Sequence, residues 1–369
     1  MIQKINSYFF VLLIIGSFGY SSCECFGQYS YSLNYFGGQM VSHSKYTKEL
    51  ESSIYGIQIE ALWKLRRETD DLSNKNKQFK LYPQLGISST WMDMGMTSTG
   101  YQFGAGLIFG AVLTDKNSLS CAWHFSHGLT YLSEKYDTLQ QPINYAIGST
   151  LNYFAQLKGA LEYNLSPNLS LNTGLYLTHA SNGNWRKPNV GLNAIHYGIG
   201  LIYFPNETYN SDRASMYLHK KKFFAFPYSI GIKLAIREHT IEYPVSFSVF
   251  ITDFQYRIQK SANHIWDIGF DLFSDANYKF DKMGNSTGID ESQELELGIK
   301  GGHQFVYGRV GLRTDLGIYV LRPILSDKPF FYNAIGIDYR LSQDWVLRSR
   351  LKAHLNVADY MEFGLSRLF

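Results

Sequence analysis

The chain has 369 residues, and its 34 Lys and Arg against 31 Asp and Glu leave a formal net charge of +3. So balanced a charge gives no electrostatic footprint for a nucleic-acid partner, and none is expected. Aromatic residues make up 16%, with 28 Tyr and 25 Phe, beside 32 Gly and only 9 Pro, a composition that suits an outer-membrane barrel with aromatic girdles or, alternatively, a secreted β-sandwich.

At the N-terminus, Lys4 precedes an apolar run from Tyr8 to Phe18 that is too short to cross a bilayer as a helix. Cys25-Phe26-Gly27 offers a small-x-small cleavage site, so residues 1–27 are expected to be a signal peptide and the mature chain to begin near Gln28. A lipoprotein alternative would use Cys23, behind the poor lipobox Tyr20-Ser21-Ser22. Cleavage leaves Cys121 alone, which excludes a disulfide within one chain. Beyond the signal, charged or polar residues interrupt every long apolar run, so no transmembrane helix is expected.

Alternating segments then recur, with strands predicted to begin near Tyr29, Tyr55, Lys80, Tyr101, Leu119, Ala146, Leu169 and Asn193, and again near Phe223, Tyr243, His264, Gln293, Val306, Phe330, Trp345 and Asp359. In Tyr101 to Thr114, Phe103, Ala105, Leu107, Phe109, Ala111 and Leu113 share one face, and the glycine-rich other face suits a crowded barrel interior. Leu165-Ser-Pro-Asn168 and Leu341-Ser-Gln-Asp344 are tight turns, and short turns on one side with longer loops on the other are the outer-membrane pattern. The last strand puts Met361, Phe363, Leu365 and Phe369 on a face interrupted by Arg367, similar to an outer-membrane assembly signal. If Phe369 and both tight turns are periplasmic, the strand from Leu169 rises outward and ends in the outer leaflet.

Leu161 to Ser170 resembles Ile337 to Val346, which suggests an internal duplication. The polar stretch 205–222, with Lys220, Lys221 and Lys222 together, reads as a connection between halves 28–204 and 223–369. The fold is expected to be all-β, a transmembrane antiparallel barrel of about 14–16 strands in one barrel, with two eight-stranded halves as the alternative.

The stretch His179-Ala-Ser181-Asn182-Gly183 through Pro188-Asn189-Val-Gly191-Leu-Asn193 carries the chemistry. Leu171, Thr173, Leu175, Leu177, His179 and Ser181 share one strand face, so a hydroxyl and an imidazole lie on the apolar side, which in a membrane barrel is the lipid side. An ester hydrolase needs a serine oxygen, a base within reach and a group that orients the base. Asn193 opens the next strand on its own apolar face, and hairpin pairing would bring it beside His179 and Ser181, where it can hold an imidazole tautomer without supplying charge. Asn182 and the Gly183 amide are candidate oxyanion donors.

The pattern H-x-S-N-(G/A) followed by P-N-x-G resembles the outer-membrane lipid A 3-O-deacylase (PagL, acyloxyacyl hydrolase) family, most strongly over Asn168 to Phe204 and more weakly over about residues 28 to 204. The resemblance implies an eight-stranded barrel that cleaves the 3-O-linked acyl chain of lipid A with Ser, His and an acidic residue on its outer wall. It assigns Ser181 as nucleophile and His179 as base, and Asn193 falls where the family usually has Glu. The second half has no counterpart in the short family members.

Competing readings attach to the same residues. Ser and Asn at a strand end often cap turns, and Pro-Asn-x-Gly is turn chemistry. His124-Phe-Ser126-His127-Gly128 repeats H-x-S, but His124 and Ser126 alternate with the apolar face and are expected in the lumen. His354 lies on the face of Arg348, Arg350 and Lys352, with Asn356 where a serine would be needed; that ladder reads as a salt-bridged or solvated wall. Asp281, Asp290 and Glu291 form a loop more readily than a cation site. With no metal cluster, phosphate loop or redox motif, no cofactor and no metal are expected. Three functions follow: a serine esterase acting on lipid A (lipopolysaccharide) in the outer membrane of a Gram-negative bacterium, alone or as a homodimer; a porin-like or structural barrel with a vestigial site; or a secreted glycan-binding sandwich.

Overall fold

The computed structural model describes residues 29–64, 80–114, 118–205, 226–261, 263–290, 293–307, 309–323, 326, 328–355 and 357–369. The expected signal segment, nearly all of the polar connection and Glu291 of the acidic loop lie outside the described residues.

Strand after strand follows the alternation of its sequence. The first half contains β1 (Tyr29–Val41), β2 (Ser53–Lys64), β3 (Lys80–Asp93), β4 (Tyr101–Thr114), β5 (Leu119–Leu132), β6 (Leu151–Ser166), β7 (Leu169–Ser181) and β8 (Leu192–Tyr203). The second contains β9 (Tyr228–Glu238), β10 (Ser246–Gln259), β11 (His264–Asp275), β12 (Leu295–Tyr307), β13 (Val310–Leu321), β14 (Phe331–Arg340), β15 (Trp345–His354) and β16 (Val357–Leu368). In β1, Tyr31, Leu33 and Tyr35 are exposed outward, while Ser30, Ser32 and Asn34 are buried inward. An apolar outside around a polar inside is what a membrane barrel requires.

The all-β antiparallel barrel expectation holds, and among the described residues there are sixteen strands, but they do not close as one barrel. β1 pairs with β8, Leu33 opposite Leu201, and β9 pairs with β16, Ile232 opposite Leu365. Each eight therefore forms its own closed barrel, the arrangement held above as the alternative. Once first and last strands have paired, neither half has a free edge with which to extend the other. The two similar segments occupy equivalent hairpins, β6–β7 and β14–β15, the sixth and seventh strands of each barrel.

Eight strands leave an interior that side chains can fill, and the two halves fill it differently. In the first, Lys158 donates to Glu60 at 2.8 Å and Gln58 to Gln156 at 2.9 Å, below an apolar plug that includes Phe36, Met40, Met92, Leu132, Ala146 and Ile147. In the second, Arg348 pairs with Asp253 at 2.9 Å, Arg350 with Asp315 at 2.6 Å and Glu362 at 2.7 Å, and Lys300 with Asp271 at 2.6 Å. The Arg/Lys ladder is thus a salt-bridged interior. Burying these charges is tolerable because each cation meets carboxylates at contact distance.

Of the expected strand starts, Phe223 lies outside the described residues, and among the others the largest failures are at Ala146 and Val306. Ala146 and Ile147 are fully buried, but in a loop packed over the barrel mouth rather than in β6, which begins at Leu151. Val306 closes β12, and β13 begins at Val310. Apolar loop residues that plug a lumen mimic a strand in any periodicity reading.

Candidate active site

β7 delivers the first two groups. Leu171, Thr173, Leu175 and Leu177 are exposed on its outer face and Asn172, Tyr176, Thr178 and Ala180 are buried on its inner one. His179 and Ser181 continue the outer set, so neither points into the bore. They are nevertheless sheltered: His179 is half-buried and Ser181 only 4% exposed. The cover is the second barrel. Ser181 and His179 line a crevice of about 60 Å³ with Phe125, His127 and Tyr153 of the first barrel and with Ile335, Ile337, Leu351 and Met361 of the second. The rings of Tyr153 and Phe363 lie 6.4 Å apart across the same contact.

β8 brings the third group. The β7–β8 register sets Asn193 directly opposite His179, and His179 Nδ1 lies 2.7 Å from Asn193 Oδ1. Because that oxygen only accepts, Nδ1 carries the proton and Nε2 is left as the basic nitrogen. Asn193 Nδ2 in turn donates to Nδ1 of the exposed His43. A chain His43–Asn193–His179 therefore runs along the outer wall. The glycine of the P-N-x-G pattern has a geometric reason too. Gly191 has φ +88°, and a Cβ there would sit 2.8 Å from His179 Cε1, so only glycine permits both the turn and the ring.

The Ser181 hydroxyl has no hydrogen-bond partner among the described residues, and none joins it to His179. Nucleophile–base contacts are often unmade before substrate binds.

The oxyanion pair separates. The Asn182 backbone N–H donates to Asn189 Oδ1 at 2.8 Å, and its Nδ2 donates to Ser149 Oγ at 3.0 Å and Arg186 O at 2.8 Å. All its donors are engaged in holding the loop, which leaves Gly183 as the donor in this arrangement. Gly183, at φ +63°, has no hydrogen-bond partner for its N–H among the described residues and packs against Met361. The loop is further tied to the second barrel, where buried Glu238 accepts from Arg186 Nη1 at 3.0 Å and from the Lys187 backbone N–H.

The decoys fall where parity put them. His124 and Ser126 are buried in the first lumen, with His124 Nε2 2.8 Å from Gln84 Oε1. His354 faces the second lumen and its Nε2 lies 3.0 Å from the Tyr319 hydroxyl. Asp281 accepts from the Asn285 side chain and from the Asn285 and Met283 amides, as a turn residue does, and these contacts hold its carboxyl below the usual range. No group of three or more His, Cys, Asp or Glu suited to a metal occurs among the described residues.

Sequence reasoning missed His43, His127, Glu238 and Met361. His127 had a signal: it sits on the outward, apolar face of β5, the same criterion that singled out His179. His43 lies two residues beyond Val41, which pairs with Asn193, so its place was readable only once β1 and β8 were known to close. Glu238 and Met361 belong to the other barrel, and no local pattern announces a contact between barrels.

Comparison with known proteins gives a match for each half of the chain. The model of the lipid A 3-O-deacylase family (PagL) matches residues 58–202, and that of the acyloxyacyl hydrolase C-terminal domain matches residues 222–366. The chain belongs to the lipid A 3-O-deacylase family. It is accordingly an acyl hydrolase of the outer membrane of a Gram-negative bacterium. Among solved structures it is similar to the outer membrane enzyme PagL, at 14% identity and a TM-score of 0.31 over 47% of this chain and 98% of that one. It is also similar to neisserial surface protein A, at 11% identity and a TM-score of 0.29 over 48% of this chain and 96% of that one. Ail, the attachment invasion locus protein of Yersinia pestis, matches at 11% identity and a TM-score of 0.29, over 48% of this chain and 97% of that one. No curated protein sequence matches the chain.

Proposed function

We propose that this family member is a serine esterase that removes an ester-linked acyl chain from lipid A in the outer leaflet. The observation that carries the reading is the 2.7 Å contact between His179 Nδ1 and Asn193 Oδ1 on the lipid-side wall, with Ser181 two residues away on the same face. Polar groups on that wall are costly unless they serve a purpose.

In this mechanism the Ser181 hydroxyl attacks the ester carbonyl carbon while His179 Nε2 takes its proton. Asn193 keeps the ring in the tautomer that leaves Nε2 free. The negative charge that develops on the carbonyl oxygen is met by the Gly183 N–H, aimed from a loop already braced by Asn182 and Glu238. As the intermediate collapses, the imidazolium returns its proton to the leaving sugar oxygen. Water, deprotonated by the same imidazole, then releases the fatty acid from Ser181.

The test is mass spectrometry of lipid A from cells producing the wild type or Ser181→Ala, with heat-modifiable gel mobility showing that both are folded. Loss of one hydroxyacyl chain with the wild type alone is expected. Identical lipid A in both would refute the esterase and favour the structural alternative, for which the unmade Ser181–His179 bond is the supporting observation.

A further inference from the structure

We infer that the second barrel forms one wall of the acyl-chain site, so that chain-length selectivity is set jointly by the outer surfaces of both barrels. The inference rests on the esterase reading and adds to it where the fatty chain lies.

Three observations support it. Ser181 lines the crevice between the barrels, whereas a larger groove of about 380 Å³ on the first barrel contains His179 and Asn193 but not Ser181. An acyl group bonded to Ser181 therefore starts in the crevice. Next, the crevice descends in the direction a lipid chain takes. On the first barrel Ser181 stands opposite Tyr153, His179 opposite Ala155, and Phe125 opposite Leu157 one row further from the loops. On the second, Met361, Leu351 and Ile335 form one row across the sheet, and Ile337 and Leu312 form the next. Rows two residues apart are separated by about 7 Å, so the walls run alongside the upper part of a chain. Finally, the facing residues are aliphatic, and most are sheltered. Met361 is 6% exposed and Leu312, Ile337 and Leu351 are half-buried, whereas Leu316, on the same barrel, is 71% exposed.

The crevice as it stands holds about 60 Å³, room for only a few carbons of the chain. Met361 adjoins Ser181 and Gly183 at its upper end, and an unbranched thioether is the side chain that most readily moves aside. Ile337 and Leu312 lie deeper, where the tail of a longer chain would reach.

The test uses the full chain, refolded in detergent and checked by heat-modifiable mobility, with p-nitrophenyl butyrate and p-nitrophenyl laurate as probes. Ile337→Trp should lower the laurate-to-butyrate rate ratio at least about tenfold, the discrimination a hydrophobic pocket gives for a few methylenes. Ile337→Ala should move the preference toward longer esters. Leu316→Trp, on the lipid-facing wall away from the crevice, should leave the ratio unchanged. Ester hydrolysis by the wild type with the same ratio in both Ile337 variants would overturn the inference and leave the esterase standing, as would a ratio that responds to Leu177→Trp in the other groove but not to Ile337→Trp. Failure of the wild type to hydrolyse either ester, or undiminished hydrolysis by Ser181→Ala, would overturn the esterase reading itself.

Discussion

Replacing Asn193 with Asp converts the neutral partner of His179 into a charged one while keeping its shape. Asn193 Oδ1 accepts from His179 Nδ1 at 2.7 Å. A neutral hydrogen bond contributes about 0.5–1.5 kcal/mol, and one to a charged group about 1.5–3 kcal/mol. The additional ~1–1.5 kcal/mol is gained when the ring becomes imidazolium, which on this mechanism happens as Ser181 attacks, so it acts on the barrier. At ~1.4 kcal/mol per decade this is a rise in kcat of about five- to tenfold. His43 limits the desolvation cost, because its ring can turn a donor toward the second carboxylate oxygen where it now meets the Asn193 amide. The assay is release of fatty acid from lipid A micelles at about pH 8, above the ordinary imidazole range of ~6.5, so that a carboxylate-stabilised imidazolium does not deplete the base. Asn193→Ala, which removes the orienting bond, should lower kcat about tenfold. A folded Asn193→Asp barrel no faster than the wild type, together with an Asn193→Ala barrel no slower, would show that this residue does not govern the imidazole.

Gly191→Ala should lower kcat with little change in KM. The substitution strains a left-handed backbone by about 1 kcal/mol or more and places a methyl 2.8 Å from His179 Cε1; steady-state kinetics on micellar substrate would show the split, and an unchanged kcat would contradict the placement of the ring. Lys158→Met should destabilise the first barrel by about 3–5 kcal/mol, because it strands Glu60, 1% exposed, without its cation. The double variant with Glu60→Gln should recover much of this, read as the temperature at which heat-modified mobility appears; equal losses in the single and double variants would mean the pair is not coupled.

Much of the outer wall was legible because strand periodicity is rigid. Once Leu169 to Ser181 is a strand, parity alone places His179 and Ser181 outside and Asn172, Tyr176 and Thr178 inside. The hairpin register that brings Asn193 to His179 follows from a loop with turn residues at both ends. What local pattern cannot carry is closure. Whether β8 pairs with β1 or continues to β9 is decided by strands far apart in sequence, so one barrel and two barrels look alike until the first and last strands are matched. The same limit hid His43, which reaches Asn193 only because β1 and β8 are neighbours. The engagement of Asn182 was hidden for another reason: the partners of its donors, Ser149, Arg186 and Asn189, are set by the loop's folding and not by the motif.

The two similar hairpins show why the candidate site lies on one barrel and not on the other. His179 lies ten residues after Leu169, the start of β7, and His354 nine after Trp345, the start of β15. A shift of one residue reverses the face of a strand. His179 therefore stands on the lipid-side wall beside Asn193, whereas His354 turns into a lumen crowded with Lys352, Asp359 and Tyr319. The second barrel instead turns a mainly aliphatic wall, with Leu312, Ile335, Ile337 and Leu351, toward Ser181. Its Glu238 holds the loop that carries Gly183, and its Met361 fills the space a side chain at Gly183 would occupy. On the esterase reading, a nucleophile that would otherwise face the open bilayer is enclosed by two barrels of one chain, in a cleft whose low dielectric strengthens the single oxyanion donor.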